Sequence, residues 1–194
     1  MMKRKFDFKP KTEPFPHQKE AIAFIQNNKN VAIFDEQGLG KTKIIIDSFS
    51  LSINRGEIDS ILIICKKSLM LNWKEEIELH SNLSNILIRE SKTKRGNLFT
   101  VPTHFMIIGY ETVINELKTL KQLLKLKSFA IVLDESHRIK NINSKATSAI
   151  HELAPLAKQR IILSGTPIAN KVEDLWSQFY FLDFGETLGA NYEL

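Results

Sequence analysis

Apolar residues recur along this chain in two rhythms. Six short runs are unbroken or nearly so: Val31–Phe34, Ile61–Cys65, Asn85–Ile88, Phe105–Ile108, Phe129–Leu133 and Arg160–Leu163. Between them, Lys41–Ile53, Leu69–His80, Thr112–Leu124 and Ser144–Leu153 set apolar residues three and four apart. A short apolar run rich in β-branched residues suits a strand buried on both faces, whereas three-and-four spacing suits a helix with one buried stripe. Strands that alternate with helices predict an α/β domain with a mainly parallel central sheet covered on both sides. A first helix, over His17–Asn27, follows Pro14-Phe15-Pro16, and proline is well suited to the first helical turn.

Two stretches fall outside this alternation. Ser91–Asn97 is polar and basic, and its closing Gly96-Asn97 predicts a turn into a short strand at Leu98–Val101, a small β-hairpin insertion near 91–101. Leu117–Lys127 is a basic amphipathic segment, read here as a surface helix that packs Leu117, Leu120 and Leu124 on the sheet. The chain shows no internal repeat, and its 194 residues at 43% apolar composition suit a single core.

Composition narrows the function classes. No apolar run approaches the roughly 20 residues of a membrane span, and Met1-Met2-Lys3-Arg4-Lys5 is not followed by a signal core. The expectation is a soluble, non-secreted protein of the cytoplasm, nucleoid or nucleus, without a membrane partner. The one cysteine, Cys65, ends an apolar strand and reads as a buried thiol, so an intrachain disulfide is excluded. Five scattered histidines offer no zinc spacing, which leaves Mg²⁺ as the only metal expected. A net charge of +5 leans toward polyanionic partners, with basic clusters at Lys3–Lys5, Lys92–Arg95, Lys118–Lys127 and Arg138–Lys145.

Two strand ends carry chemistry. After Val31–Phe34 comes Asp35-Glu36-Gln37-Gly38-Leu39-Gly40-Lys41-Thr42, a glycine loop that opens a helix. Backbone N–H groups in such a loop wrap phosphates, Lys41 reaches the β- and γ-phosphates, and the Thr42 hydroxyl can ligate Mg²⁺. Asp35 stands where the strict phosphate-loop pattern has its first glycine. After Phe129–Leu133 comes Asp134-Glu135-Ser136-His137. In a parallel sheet, ligands gather at the carboxyl ends of strands, so this acidic pair can complete a Mg·ATP site. Asp134 would hold Mg²⁺, directly or through water, and Glu135 would orient and deprotonate the attacking water.

In this order and spacing the motifs resemble the first RecA-like lobe of a superfamily II helicase, and within it the Swi/Snf-type DNA-translocating ATPases. The likeness runs over residues 14–183: the glycine loop in its Asp35–Thr42 form, Lys67-Ser68-Leu69 with Asn72-Trp73, Asp134–Asn141, Leu163–Asn170, and Glu173-Asp174-Leu175-Trp176. The resemblance implies a three-layer RecA-like fold. It implies a nucleotide site of Gln18, Gln37, Gly38, Leu39, Gly40, Lys41 and Thr42, with the Gln18 amide pairing the adenine edge. It implies that Ser164 and Thr166 couple nucleotide state to DNA contacts, while Lys67, Ser68 and the Tyr110 region touch the phosphate backbone with little preference for sequence. Ser136 replaces the alanine more usual between the Glu and the His. No second lobe follows Asn170 in this sequence. In the family that lobe brings the transition-state arginines, which can be worth about 10³–10⁵ in rate. The expectation is therefore half a site, an ATPase lobe weak or inactive alone that takes its second lobe in cis or in trans. A non-catalytic nucleic-acid or partner-binding module of the same fold, and an RNA helicase lobe, are the competing readings.

Overall fold

The computed structural model describes residues 10–34, 38–89, 96–166 and 172–192. Asp35, Glu36 and Gln37, the clusters Lys3–Lys5 and Lys92–Arg95, the first part of the expected insertion, and Pro167–Lys171 lie outside the described residues. In chain order the elements are α1 (Pro16–Asn27), β1 (Asn30–Ile33), α2 (Lys41–Asn54), β2 (Ser60–Cys65), α3 (Met70–His80), β3 (Asn85–Ile88), β4 (Phe105–Gly109), α4 (Tyr110–Leu126), β5 (Phe129–Asp134), α5 (Lys145–Leu153), β6 (Gln159–Leu163) and α6 (Trp176–Asp183). Single 3₁₀ turns at Lys67–Leu69, Ser136–Ile139, Ala154–Leu156 and Val172–Leu175 join them.

The six strands form one sheet in the order β1-β6-β5-β2-β4-β3, and every pairing is parallel. Side chains alternate across a strand, so each strand feeds two cores. Val31, Ile33, Ile61, Ile63, Val132 and Ile161 meet α1, α2 and α3 through Ile22, Ile44, Phe49, Trp73 and Ile77. Leu62, Ile64, Ile108, Ile131, Leu133 and Ile162 meet the other helices through Val113, Leu120, Ile150 and Phe181. This is the expected three-layer α/β arrangement. The helix over the Leu117–Lys127 stretch behaves as read, with Leu120 and Leu124 buried and Leu117 packed beside them. Among the described residues no helix is long and apolar enough to cross a membrane.

One expectation needs correction. Residues 96–98 make a helical turn rather than the start of a strand, and Thr100 N and Val101 N close back on Asn97 O and Leu98 O at 3.3 Å each. The run Leu98-Phe99 has strand-like composition, but Phe99 is buried and Leu98 packs on the same core, so burial overrides propensity. α6 is not among the helices read from the sequence, because Trp176, Phe179, Tyr180, Phe181 and Leu182 leave no clear three-and-four apolar period. Its Ser177 and Gln178 are fully buried alongside Phe181 and Leu182.

Candidate functional site

Because all strands are parallel, the loops after β1, β6, β5, β2, β4 and β3 open in that order along one edge of the sheet. The edge divides into a nucleotide-like half and a cationic half.

The first half starts at the glycine loop. Gly38 and Gly40 take φ of 93° and 77°, a left-handed backbone that side chains resist. A Cβ at Gly40 would also collide with Gln18 Nε2. Gln18 is only 3% exposed, and its Oε1 accepts from Phe15 N at 3.0 Å, which fixes the amide against the loop. His17 Nε2 lies 3.4 Å from Leu39 O. The first bond of α2 runs from Ile44 N to Gly40 O at 3.1 Å, so the amides of the first turn, Lys41 and Thr42 included, point out of the helix N-terminus where an anion is favoured. A buried ion pair between Lys43 Nζ and Asp47 Oδ2, at 2.6 Å, anchors the inner face of α2. Lys43 also donates to Thr12 O at 2.8 Å, which ties the leading segment across the helix.

The second strand end supplies the carboxylates. Asp134 Oδ2 accepts from Trp73 Nε1 at 2.7 Å. Burial pushes the Asp134 carboxyl above its ordinary range, the Trp73 bond pulls against that, and the Lys41 charge pulls in the same direction as Trp73. Asp134 and Lys41, far apart in sequence, therefore lie within electrostatic reach of each other. Hard oxygen donors from Asp134 and Thr42 fit the preference of Mg²⁺. Glu135 sits in the left-handed region at φ 54°, a conformation costing a non-glycine residue about 1–2 kcal/mol. Its Oε2 lies 3.2 Å from His137 Nδ1, which in turn lies 3.5 Å from Ser164 Oγ. Burial holds the His137 imidazole below its ordinary pKa, with Glu135 opposing and Lys66, Arg138 and Lys140 assisting. Ser164 Oγ accepts from Thr166 N at 3.1 Å, so the end of β6 meets the acidic loop through His137. Ser136 is fully buried and donates to Gln178 Oε1 at 2.6 Å, and Gln178 Nε2 donates to Asp174 O at 2.9 Å.

The cationic half lies beyond β5. Lys67 and Ser68 are exposed on the turn after β2. Lys67, Arg89 and Thr112 line a cleft of about 400 Å³ together with Met70, Ile88, Gly109 and Glu111. Tyr110 does not belong to this surface. It is 3% exposed, and its hydroxyl donates to Asp134 O at 2.8 Å. Burial and the Asp134 charge push its pKa well above the ordinary value. The expectation that Tyr110 touches a phosphate backbone is thus corrected: an aromatic residue at a strand end resembles a contact residue in sequence, but here it braces the acidic loop. Cys65 is a buried thiol as expected, pushed up to about 12 by burial and then by Asp134. Among the described residues no cluster of His, Cys, Asp or Glu could hold a metal by itself.

Sequence reasoning brought Lys41, Thr42, Asp134 and Glu135 to one edge, along with Gly38, Leu39, Gly40 and Gln18. It missed the second layer formed by Trp73, His137 and Gln178, and it missed Arg89 and Thr112. Trp73 carried a faint signal inside Asn72-Trp73; Gln178 carried none, since only tertiary packing turns it toward Ser136.

Comparison with known proteins agrees with this architecture. Residues 17–188 match the family described as "SNF2-related domain". The chain is 31% identical over 189 residues to the human "DNA excision repair protein ERCC-6-like", covering 91% of this chain and 15% of that protein. It is 30% identical to the Gallus gallus "DNA repair and recombination protein RAD54B", covering 88% of this chain and 20% of the relative. A solved structure, "Sulfolobus solfataricus SWI2/SNF2 ATPase core in complex with dsDNA", superposes with a TM-score of 0.78 at 30% identity, covering 91% of this chain and 37% of that one. This chain therefore spans well under half the length of these relatives.

Proposed function

The chain belongs to the SNF2-related domain family, and from that premise we propose that it is the ATP-binding lobe of a DNA-dependent ATPase, coupling Mg·ATP hydrolysis to movement along duplex DNA once a second lobe is supplied. The observation that carries the reading is the placement of Lys41, opening α2 after β1, and Asp134, ending β5, at the same carboxyl edge of the parallel sheet with only β6 between their strands. Lys41 binds the β- and γ-phosphates, and the first-turn amides of α2 wrap them. Gln18, fixed against Gly40, offers its amide to the adenine edge. Thr42 and Asp134 would hold magnesium, which when bound neutralises phosphate charge. Glu135 orients the attacking water and takes its proton, with His137 Nδ1 at 3.2 Å steadying the carboxylate. Lys67 and Ser68 contact the DNA backbone, and Ser164 and Thr166 relay nucleotide state along the sheet edge. The duplex is favoured over RNA because the solved relative is described in complex with dsDNA.

The test is nucleotide binding and steady-state ATP hydrolysis with and without duplex DNA, using Lys41→Ala as control. Nucleotide binding that depends on Lys41, DNA affinity that falls with salt, and hydrolysis that rises when a second lobe is joined are the expected results. Unchanged nucleotide handling in Lys41→Ala sinks the assignment. Stronger stimulation by RNA than by duplex DNA would move it to an RNA helicase lobe.

A further inference from the structure

Trp73 is 1% exposed and sits on the inner face of α3 between Met70 and Ile77, both buried. A fully buried indole needs a partner for its N–H. Here the partner is Asp134 Oδ2, at 2.7 Å, on the strand that neighbours β2 in the sheet. An indole donating to a charged oxygen fixes the rotamer of that carboxylate, so its remaining lone pairs keep one direction. The donor is itself immobile, because the ring is wedged against the sheet by Ile61, Ile63 and their neighbours in the same core. The 3₁₀ turn Lys67–Leu69 runs without a break into α3 at Met70. The exposed Lys67 and Ser68 and the indole that holds Asp134 thus ride on one continuous helical piece.

We infer that Trp73 is a positioning residue for Asp134: its indole N–H sets the carboxylate in the orientation that a magnesium ion requires. The inference rests on the proposed role of Asp134 as the metal-holding carboxylate. Partners of this outer kind typically contribute about 10- to 100-fold to metal affinity.

The experiment measures the affinity of the whole chain for a fluorescently labelled ADP by anisotropy, once with Mg²⁺ and once with excess EDTA. Trp73→Phe keeps an aromatic group in the core while removing the donor, together with the five-membered half of the indole. It should bind ADP in EDTA as the unmodified chain does, while the gain in affinity from Mg²⁺ shrinks about tenfold, at the lower end of that range. A full magnesium gain in Trp73→Phe overturns the inference, and so does an equal loss of affinity with and without Mg²⁺, which marks a packing role only. Asp134→Asn separates the two readings. If it keeps the magnesium gain, the metal-holding role of Asp134 itself falls and this inference with it; if it loses the gain while Trp73→Phe keeps it, only the inference falls. A second readout leaves Trp73 in place. The chain has two tryptophans, so in Trp176→Phe all indole emission comes from Trp73. Unlabelled ADP with Mg²⁺ should change that emission relative to ADP in EDTA, and identical emission under both conditions overturns the inference.

Discussion

Two loops leave adjacent strands of one sheet and meet opposite fates. β2 and β5 run in register up to Ile64 beside Leu133, after which one continues into Lys66, Lys67 and Ser68 and the other into Asp134, Glu135 and Ser136. The cationic loop has ordinary backbone angles, with Lys66 at φ −63° and ψ 143°, and Lys67 and Ser68 stand in solvent. The anionic loop is strained at Glu135 and held from every side: Trp73 on Asp134, Tyr110 on the Asp134 carbonyl, His137 beside Glu135, Gln178 on Ser136. A phosphate contact needs charge at the surface and tolerates small movements. A group that must aim a water molecule does not, and strained conformations persist only where surroundings over-determine them. Substitutions on the two sides should therefore fail in different ways.

The largest expected effect is at Glu135. Glu135→Gln keeps the shape of the loop and removes the base, so DNA-stimulated phosphate release by the lobe joined to a second lobe should fall by about 10²–10⁴. Nucleotide and DNA affinities should stay as they are. If turnover survives, Glu135 is not the base and the contrast between the two loops loses its chemical basis.

Next is the scaffold of the same loop. Ser136→Ala removes a buried hydrogen bond to Gln178 Oε1, at a cost of about 1–3 kcal/mol. At this chain length that corresponds to about 2–12 °C in Tm, read by calorimetry or circular dichroism. Ser136→Ala combined with Gln178→Leu should cost less than the sum of the two single losses, because the Ser136–Gln178 bond is lost only once while the Gln178–Asp174 bond is lost with Gln178 in either background. Additive losses would mean that the two residues do not act as a pair.

How much of this was legible beforehand follows the same division. Strands could be read because burial on both faces forces unbroken apolar runs, and β3 was recovered residue for residue as Asn85–Ile88. The positions of Gly38–Thr42 and Asp134-Glu135 at strand ends could be read because each follows a short apolar run. The bracing of the acidic loop could not. Gln178 looks like a solvent residue in an apolar stretch, Tyr110 looks like a surface contact, and only the packing of α6 and α4 turns them inward. Periodicity missed α6 for a related reason, since its buried face mixes Ser177 and Gln178 with Phe181 and Leu182 while its outer side is aromatic, with Trp176 stacked on Tyr180 at 4.8 Å.

On the cationic side, smaller and more uniform effects are expected. Lys67→Ala should weaken duplex binding about equally across DNA sequences and reduce the slope of log affinity against log salt by about 1. Magnesium-dependent nucleotide affinity should not change, because Lys67 is exposed on the turn after β2, a strand that β6 and β5 separate from the β1 exit and its glycine loop. A Lys67→Ala chain with weakened nucleotide binding would show that the two halves of the edge are coupled even at rest.

The smallest effect separates the loops by pH. His137 is held below its ordinary pKa of 6.5, first by burial and then by Lys66, Arg138 and Lys140, against the pull of Glu135. The unfolded chain therefore takes up the proton first. The stability that comes from the neutral ring is complete above about pH 6.5 and is lost as pH falls through that value toward the lower folded pKa. His137 keeps some contact with water, its side chain being 20% exposed, so the change should be modest. His137→Asn should show a smaller drop in Tm between pH 7.5 and pH 5.5 than the unmodified chain, while Lys67→Ala should show the same drop. Equal pH dependence in all three chains would place the titrating strain elsewhere, at His104 or His151, whose pKa values burial also lowers. The acidic loop would then owe its rigidity to Trp73, Tyr110 and Gln178 alone.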